Sequence, residues 1–213
     1  MSSRDVVLGR IRRALADVPR QETPEDVAVV RDYRRDDSPG DPVAVLAERL
    51  ADYRAAVHRC AEAEVAPVVA RLLAARGARS VVVPDGLPEE WLAGVPEEVR
   101  RVPDEAGLTP HDLDAVDSVV TGCAVAIAET GTLVLDAGPG QGRRRVTLVP
   151  DHHVCVVRVP SQVAGSVPQA LERLDPGRPL TWISGPSATS DIELSRVEGV
   201  HGPRTLEVVL AEP

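Results

Sequence analysis

The feature that most limits the fold of this chain is a series of short, largely apolar runs separated by helical segments. Ser80–Pro84, Val154–Val159 and Leu206–Leu210 show little of the alternation between apolar and polar residues that marks a half-exposed strand. Glu62–Arg76 has the spacing of a helix and is followed by Gly77, a common helix-ending residue. Apolar strands that alternate with helices predict an α/β fold, with a mainly parallel sheet covered by helices on both faces.

Further elements follow from the same periodicities and from the turn residues between them. All of them fall within residues 42–213, which we predict to form one domain. The additional predicted strands are Ala55–Cys60, Val99–Val102, Val119–Thr121, Ala124–Ala128, Thr132–Asp136, Val146–Val149 and Leu180–Ile183. One additional helix is predicted to begin near Pro42, and others are predicted at Pro88–Ala93, Thr109–Ala115, Val167–Leu174 and residues 188–199.

The composition excludes several classes of function. With 24 basic and 33 acidic residues the chain has a net charge of −9, which argues against a general binder of nucleic acid or of anionic membranes. Every basic residue is an arginine, so neither a Schiff-base lysine nor a P-loop lysine can operate. Phenylalanine is absent, and the core must therefore be made of valine, leucine, alanine and isoleucine.

Residues 1–41 are predicted to form an arm that precedes the domain. Residues 3–16 have apolar side chains at helical spacing, with Ser3 as the N-cap and arginines on the opposite face. This arginine face would either contact nucleic acid or a partner, or be solvated while the apolar face packs on the core. Residues 17–41 are charged and contain proline, a composition typical of linkers.

The cysteines and the hydropathy predict a cytoplasmic protein without a cofactor of its own. Cys60, Cys123 and Cys155 are far apart and form no C-x-x-C pair, so neither a zinc ribbon nor a self-contained iron–sulfur site is expected. We interpret them as free thiols. The N-terminus lacks an apolar signal core, and no apolar run approaches about 20 residues, so membrane insertion is not expected.

The centre of the chain, Thr121–Gly142, interrupts the apolar pattern with polar residues. Glu129 lies between two apolar runs, where a carboxylate needs hydrogen-bond partners. Glu129 would be a catalytic general base or covalent carboxylate, and its neighbours Thr130, Gly131 and Thr132 would contact the ligand. In the alternative interpretation, Glu129 is a structural acceptor for backbone N–H groups of a tight turn.

A glycine-rich loop and three arginines follow directly. Glycines such as Gly140 and Gly142 let backbone amides approach an anion, and the guanidinium of Arg143 is suited to a carboxylate or phosphate. The alternative is a mobile hairpin loop with solvated arginines. The glycine spacing matches neither a P-loop nor a dinucleotide-binding fingerprint.

The segment G-P-S-A-T-S-D, residues 185–191, predicts a second place for an anion, at the start of a helix that follows a strand. Ser187 would cap this helix, and both Ser187 and Thr189 would contact the ligand. Asp191 either belongs to the site or complements the helix dipole. His201, in a glycine-bounded turn near the chain end, is a further candidate contact.

Two more histidines, His152 and His153, follow Asp151 directly before a predicted strand. An Asp-His-His string resembles a metal site, but neighbouring residues of a strand point to opposite faces of the sheet. We therefore do not expect these two histidines to bind one ion, and no metal is predicted for the chain.

Candidate residues from separate blocks come just after predicted strands. They are Glu129, Gly131, Ser187 and Asp191. Ligands of open parallel sheets bind in the crevice beyond the carboxyl ends of the strands. We therefore predict that these residues share one cleft.

Three segments, in this order along the chain, resemble the motifs of one known family. They are A-I-A-E-T-G-T-L-V-L at 126–135, G-P-S-A-T-S-D-I-E at 185–193 and G-V-H-G-P-R at 199–204. Together they are similar to the signature of the LUD-domain, lactate-utilisation C (LutC/YkgG-type) proteins. Many members of that family have Lys or Arg between the Ser and Thr of the second segment, where this chain has Ala188, so an anion contact at that position does not transfer.

The resemblance implies an α/β fold related to the sugar-phosphate isomerases and CoA transferases (NagB/RpiA type). It also implies a role in oxidising L-lactate to pyruvate beside partner subunits that carry the iron–sulfur clusters. On this hypothesis the protein is an accessory, non-redox component that binds a small organic anion or a partner subunit. The alternative hypothesis is a stand-alone enzyme that acts on a phosphorylated or CoA-linked small acid.

Overall fold

The computed structural model describes residues 2–19, 21, 23, 34, 40–189, 197–198 and 201–213. The chain divides into two compact units, Met1–Arg34 and Arg35–Pro213. The boundary after residue 41 that the sequence suggests stays a prediction. Among the described residues, no helix has both the length and the apolar character needed to cross a membrane.

The first unit contains one described helix, α1 (Ser3–Ala14). Its N-cap is Ser2 rather than the predicted Ser3, because the Ser2 hydroxyl accepts from the Asp5 amide while the Asp5 carboxylate accepts from the Ser2 amide. None of the α1 residues is buried, and Val7 and Ile11 are about half exposed at 53% and 48%. The packing of its apolar face on the core of the domain stays a prediction.

The second unit contains four helices and twelve strands among its described residues. The helices are α2 (Pro42–Asp52), α3 (Val65–Arg76), α4 (Pro110–Asp114) and α5 (Val167–Leu171), with 3₁₀ turns at Glu62–Glu64, Glu89–Leu92 and Arg144–Thr147. The strands are β1 (Ala56–Ala61), β2 (Ser80–Val83), β3 (Arg100–Pro103), β4 (Ser118–Thr121), β5 (Val125–Ile127), β6 (Thr132–Leu135), β7 (His152–Arg158), β8 (Val163–Ala164), β9 (Thr181–Ile183), β10 (Ala188–Thr189), β11 (Val197–Glu198) and β12 (Thr205–Glu212).

The main sheet has six strands in the order β1-β12-β7-β4-β2-β3, and every neighbouring pair is parallel. Alternate residues of the central strand β7 face opposite sides. Cys155 and Val157 belong to the core cluster that contains the buried residues of α2, whereas Val154 and Val156 belong to the cluster of α3. Both faces are thus covered by helices, and the predicted α/β fold with a mainly parallel sheet is confirmed.

Four predicted strands do not join this sheet as expected. β5, β6 and β9 form a second sheet with β8, in the order β8-β5-β6-β9, in which the β5–β6 and β6–β9 pairs are antiparallel. The predicted strand Val146–Val149 is wrong, since Val146 and Thr147 lie in a 3₁₀ turn and the next two residues form a turn and a bend. Val146 is fully buried, and burial alone does not distinguish a strand from a turn.

The predicted helix over residues 188–199 is wrong at its described residues, 188–189 and 197–198, and the rest of the range lies outside the described residues. β10 and β11, at the two ends of this range, pair as antiparallel strands. The Ser187 amide donates to the Pro203 carbonyl at 2.8 Å, and the Ser187 hydroxyl accepts from the His201 amide at 2.9 Å. The predicted cap hydroxyl therefore joins the residue before β10 to the segment before β12.

Two glycines let the second sheet lie close to the C-terminal end of α2. Gly131 has φ = +57°, and a Cβ there would lie 2.8 Å from the carbonyl carbon of Arg49. Gly185 has φ = +78°, and a Cβ there would lie 2.8 Å from the Cβ of Tyr53, the residue that follows α2, and closer still to the Tyr53 carbonyl oxygen. Both positions combine a left-handed backbone with a close approach, so glycine is required at each.

We expect Gly131→Ala to lower the free energy of unfolding by about 2–4 kcal/mol, because alanine adds backbone strain and a clash with α2. Gly107→Ala is the matched control, since no atom lies within 4 Å of a Cβ built at Gly107. Urea denaturation of both variants measures the difference. Equal stability of the two variants would contradict this account of α2 packing.

Candidate functional site

One cavity, of about 200 Å³, lies where the second sheet meets the amino ends of β7 and β12. We name it the Ser187 cavity. Its lining combines hydroxyl groups and imidazole rings with apolar side chains, and no Arg, Asp or Glu is among the described lining residues. These are Thr147, Leu148, His153, Trp182, Ile183, Ser184, Gly185, Pro186, Ser187, His201, Gly202, Pro203 and Leu206.

Two of the predicted site residues meet in this cavity. Ser187 follows β9 and His201 precedes β12, and the hydrogen bond from the His201 amide to the Ser187 hydroxyl joins them. Since that hydroxyl accepts from His201, its own proton remains available to a ligand. Thr189 lies in β10, and Asp191 lies outside the described residues.

A residue that the sequence analysis set aside, His153, also lines the cavity. Its side chain is 0% exposed, its Nε2 lies 2.7 Å from the Thr121 hydroxyl, and its Nδ1 has no hydrogen-bond partner among the described residues. Burial lowers the pKa of His153 to about 3, and the neighbouring His152 acts in the same direction. The imidazole of His153 is therefore neutral at physiological pH.

His152 is the counterpart of His153 on the other face of the sheet. Its Nδ1 lies 2.8 Å from the Ser118 hydroxyl, its Nε2 is unpartnered among the described residues, and it does not line the cavity. Burial, the largest cause, lowers its pKa. The two rings bond different hydroxyls, of Ser118 and Thr121, as expected for neighbours that point apart. Within the described residues no group of three or more His, Cys, Asp and Glu side chains could hold a metal ion.

The three cysteines are free thiols. Cys123 and Cys155 are buried, and a hydrogen bond with Cys155, together with burial, raises the pKa of the Cys123 thiol well above its usual value. A thiol kept protonated in this way is a poor nucleophile.

A chain of hydroxyls connects the T-G-T segment to the Ser187 cavity. The buried Thr132 hydroxyl lies 2.8 Å from the Thr130 hydroxyl and 2.8 Å from that of Ser184, which lines the cavity. Thr132 therefore supports the cavity wall from behind. Neither Thr130 nor Thr132 lines the cavity itself.

Glu129 occupies the turn between β5 and β6, and its side chain is exposed. Its backbone amide donates to the Gly165 carbonyl at 3.0 Å, while its carboxylate has no hydrogen-bond partner within the described part of the chain. The expectation that this carboxylate is held by partners between two apolar runs is therefore wrong. The runs pair with each other as a hairpin, and the tight turn between them directs Glu129 to solvent.

A second cavity, of about 500 Å³, lies beyond the carboxyl ends of β2 and β3. We name it the arginine cavity; its lining residues are Asp85, Gly86, Asp104, Ala137, Gly138, Pro139, Gly142, Arg143 and Arg178. Within the sheet, β2 has β3 as its neighbour on one side and β4 as its neighbour on the other, so the order of the strands reverses at β2. This is the kind of switch point at which open α/β sheets bind ligands.

The polar groups of the arginine cavity are largely paired with one another. The Gly140 amide donates to the Asp85 carbonyl at 2.7 Å, and the Gly140 carbonyl accepts from Gly122. The Arg143 guanidinium binds the Asp104 carboxylate, with its Nε at 2.7 Å. In the same way, Arg178 lies 3.0 Å from Asp136. An anion would have to compete with these internal partners, and anion binding by Gly140, Gly142 and Arg143 stays a prediction.

The structure does not bring the predicted residues into one cleft. Ser187 and His201 line the Ser187 cavity, Gly142 and Arg143 line the arginine cavity, and Glu129 lines neither. His153 was not predicted as a lining residue. The available signal was a pair of histidines at the start of a largely buried strand, beside a strand that carries two buried hydroxyls, since imidazoles at such positions need partners.

The chain is similar in sequence and in structure to known proteins. A family model described as the LUD domain matches residues 43–211. A Deinococcus radiodurans protein named "Lactate utilization protein C" is 50% identical over 167 residues, which are 76% of this chain and 76% of that protein. A Geobacillus kaustophilus protein of the same name is 32% identical over 163 residues, or 66% of each chain. A crystal structure described as a DUF162 family protein from Deinococcus radiodurans has a TM-score of 0.68 and 39% identity, and covers 81% of this chain and 99% of its own.

The buried histidines predict that stability falls on mild acidification. Unfolded histidines have a pKa of about 6.5, whereas burial lowers the folded pKa of both His152 and His153. Below pH 6.5 the unfolded chain therefore binds more protons than the folded chain, and the free energy of unfolding falls by roughly 1 kcal/mol per pH unit for each neutral histidine. Urea denaturation between about pH 7 and pH 5 measures this slope. The variant His153→Gln should have a shallower slope, and an equal slope in both proteins would contradict the assignment.

Glu129→Gln is expected to change the free energy of unfolding by less than about 0.5 kcal/mol, as for most exposed positions. The physical reason is that the carboxylate has no described partner to lose. Asp104→Asn is a useful contrast, since the Asp104 carboxylate is nearly buried and binds Arg143. Melting of Glu129→Gln well below the wild type would show that Glu129 has a structural role after all.

Proposed function

We propose, since the chain belongs to the LUD domain family, that it takes part in lactate utilisation as an accessory component that binds a small organic acid. The support for lactate utilisation is the family match over residues 43–211 and the names of the relatives that are 50% and 32% identical. The support for a small acid as the ligand is the Ser187 cavity, in which two of the family-like segments meet.

The size and the lining of this cavity carry the proposal. A volume of about 200 Å³ is below the range of about 300–1,000 Å³ that is typical for larger ligands, so it suits a molecule of a few carbon atoms. Ser187 and Ser184 offer hydroxyl groups at the wall, and the exposed His201 lies beside Ser187. These groups would donate hydrogen bonds to a carboxylate, and bonds of that kind are stronger than neutral ones.

The alternative, a stand-alone enzyme for a phosphorylated or CoA-linked acid, has less support. Such a substrate would need the larger arginine cavity and unpaired positive charge. Arg143 and Arg178 line that cavity, but each is paired with an aspartate. The geometry therefore favours a small carboxylic acid in the Ser187 cavity.

The proposal includes partner subunits that carry iron–sulfur clusters. Oxidation of L-lactate to pyruvate releases electrons and protons, and the electrons would pass to those clusters. The family resemblance supports this part of the proposal. On the same hypothesis the exposed Glu129, predicted as a catalytic residue, is accessible to a substrate or partner at the end of the β5–β6 hairpin.

A deletion strain tests the role in the cell. We expect it to lose growth on L-lactate as the sole carbon source while it grows normally on pyruvate, because only the oxidation step needs the protein. Complementation with the wild-type gene should restore growth. Undiminished growth of the deletion strain on L-lactate would refute the proposed function.

Ser187→Ala tests the site in the purified protein. A saturating ligand at 100 times its dissociation constant adds about 2.7 kcal/mol to stability, which corresponds to roughly 5–10 °C in melting temperature. We expect lactate or pyruvate to give such a shift with the wild type and a reduced shift with Ser187→Ala. Ser161→Ala is the control, since Ser161 is exposed and lines neither cavity. Equal shifts in all three proteins would place the ligand elsewhere.

A further inference from the structure

The wall of the Ser187 cavity has an apolar part that the hydrogen bonds to a carboxylate leave unused. Leu148, Ile183 and Pro186 line the cavity and are half-buried, and Trp182 beside them is 41% exposed. These side chains therefore present accessible apolar surface to the cavity. Such surface favours binding when a ligand covers it, because its contact with water is removed.

Leu148 is the apolar lining residue whose position is best defined. None of the four core clusters among the described residues includes it. A Cβ built at Gly202, which also lines the cavity, would lie 3.7 Å from Cδ2 of Leu148 and 3.6 Å from Cβ of Ser187. The end of the Leu148 side chain is therefore close to Ser187, to which the carboxylate was assigned above.

We propose that the Ser187 cavity selects monocarboxylic acids with a short hydrocarbon tail, and that Leu148 determines this specificity by packing on the tail. This inference rests on the binding of a small organic acid proposed above and deepens it, since it identifies the second part of the acid that is recognised. The carboxylate bonds to Ser187, and the tail covers Leu148 together with Ile183 and Trp182.

The lining disfavours a charged group at the far end of the tail. No Arg, Asp or Glu is among the described residues that line the cavity. A second carboxylate placed against Leu148 would lose water without gaining a partner, which is unfavourable. A methyl group at the same place loses only its contact with water, which is favourable. The cavity should therefore distinguish acids by the group opposite the carboxylate.

The size of the cavity limits the length of the tail. Each methylene group that becomes fully buried strengthens binding by about 4-fold. With a volume of about 200 Å³, the cavity accepts only a few carbon atoms, and a tail that extends beyond it gains nothing further. Affinity should therefore rise with tail length to an optimum.

Calorimetric titration of the wild type tests the recognition of the tail. Acetate, propionate, butyrate, pentanoate and hexanoate differ from one another by single methylene groups. We expect affinity to rise by about 2- to 4-fold per carbon up to the optimum. Succinate has a carboxylate where butyrate has its methyl group and should bind at least about 10-fold more weakly than butyrate. Equal affinities along the series, or succinate binding as tightly as butyrate, would overturn the inference.

Two substitutions should move the optimum in opposite directions. Leu148→Ala adds space and should favour a longer acid, whereas Gly202→Ala adds a methyl group beside Leu148 and should favour a shorter one. Alanine is compatible with the fold at Gly202, because φ there is outside the left-handed region and the new contacts are at ordinary van der Waals distances. Leu171→Ala is the control, since Leu171 is 50% exposed and lines neither cavity, and it should keep the wild-type optimum.

The remaining outcomes separate this inference from the proposed function. If Leu148→Ala and Gly202→Ala both keep the wild-type optimum, or weaken the binding of all acids by one common factor, the inference is overturned. Lactate and pyruvate are titrated into the same wild-type protein. If they bind while tail length has no effect, the proposed function stands and the inference is overturned. If no acid binds, both the proposed ligand and the inference are overturned.

A second measurement does not depend on the folding of a variant. Trp182 lines the cavity, whereas the other tryptophan, Trp91, is only 4% exposed and contacts Arg158. Saturating butyrate should shift the tryptophan emission to shorter wavelength, because the tail displaces water from the indole of Trp182, and saturating acetate should shift it less. Saturation by butyrate without such a shift would overturn the packing of the tail on this wall.

Discussion

The last strand of the chain, β12, is the element on which the rest of the structure depends. It lies between β1 and β7 and pairs with both in parallel, from Ala56–Glu207 to Ala61–Glu212 on one side and from Thr205–His152 to Ala211–Arg158 on the other. Without β12, β1 would have no neighbour in the main sheet. Contacts between segments so far apart in sequence are slow to form, because the entropy of closing the intervening chain comes first.

The position of β12 also creates the Ser187 cavity. Because β12 begins at Thr205, the residues just before it are held at the amino end of the sheet, where Ser187 bonds to the main chain of His201 and Pro203. The distance along the sequence between Ser187 and His201 does not reveal this contact. It follows from the register of β12 against β7, which places Leu206 beside His153.

The main sheet could be predicted from the sequence because its central strands are largely apolar on both sides and alternate with helical segments. β2, β7 and β12 all lie within about two residues of the predicted bounds. The second sheet could not be separated from it, since β5 and β9 have only three residues each and short apolar runs carry no sign of their partners. Ser187 resembled the N-cap of a helix, but its amide and hydroxyl form tertiary hydrogen bonds with Pro203 and His201 instead.

The candidate site was predicted only in part, for a similar reason. Ser187 and His201, which residue type marked as ligand contacts, line a cavity, and their contact with a ligand stays a prediction. Glu129 was expected to need partners, and a hairpin turn exposes it instead. His153 was set aside because metal binding was the only role considered for it. Its relevant neighbour, Thr121, lies on the adjacent strand β4, and only the packing of the sheet reveals that pair.

The positions of the two cavities bear on where a ligand binds. By sheet topology alone the arginine cavity would be favoured, since it lies at the carboxyl ends of the strands. Its guanidinium groups, however, already have carboxylate partners, whereas the described lining of the Ser187 cavity offers hydroxyl groups and the exposed His201. An internal ion pair is complete without a ligand and would have to be broken by an anion, but the Ser187 hydroxyl accepts from the His201 amide and still has a proton to donate. The pairing of the arginines therefore outweighs the topological rule and favours the cavity at the amino ends of β7 and β12.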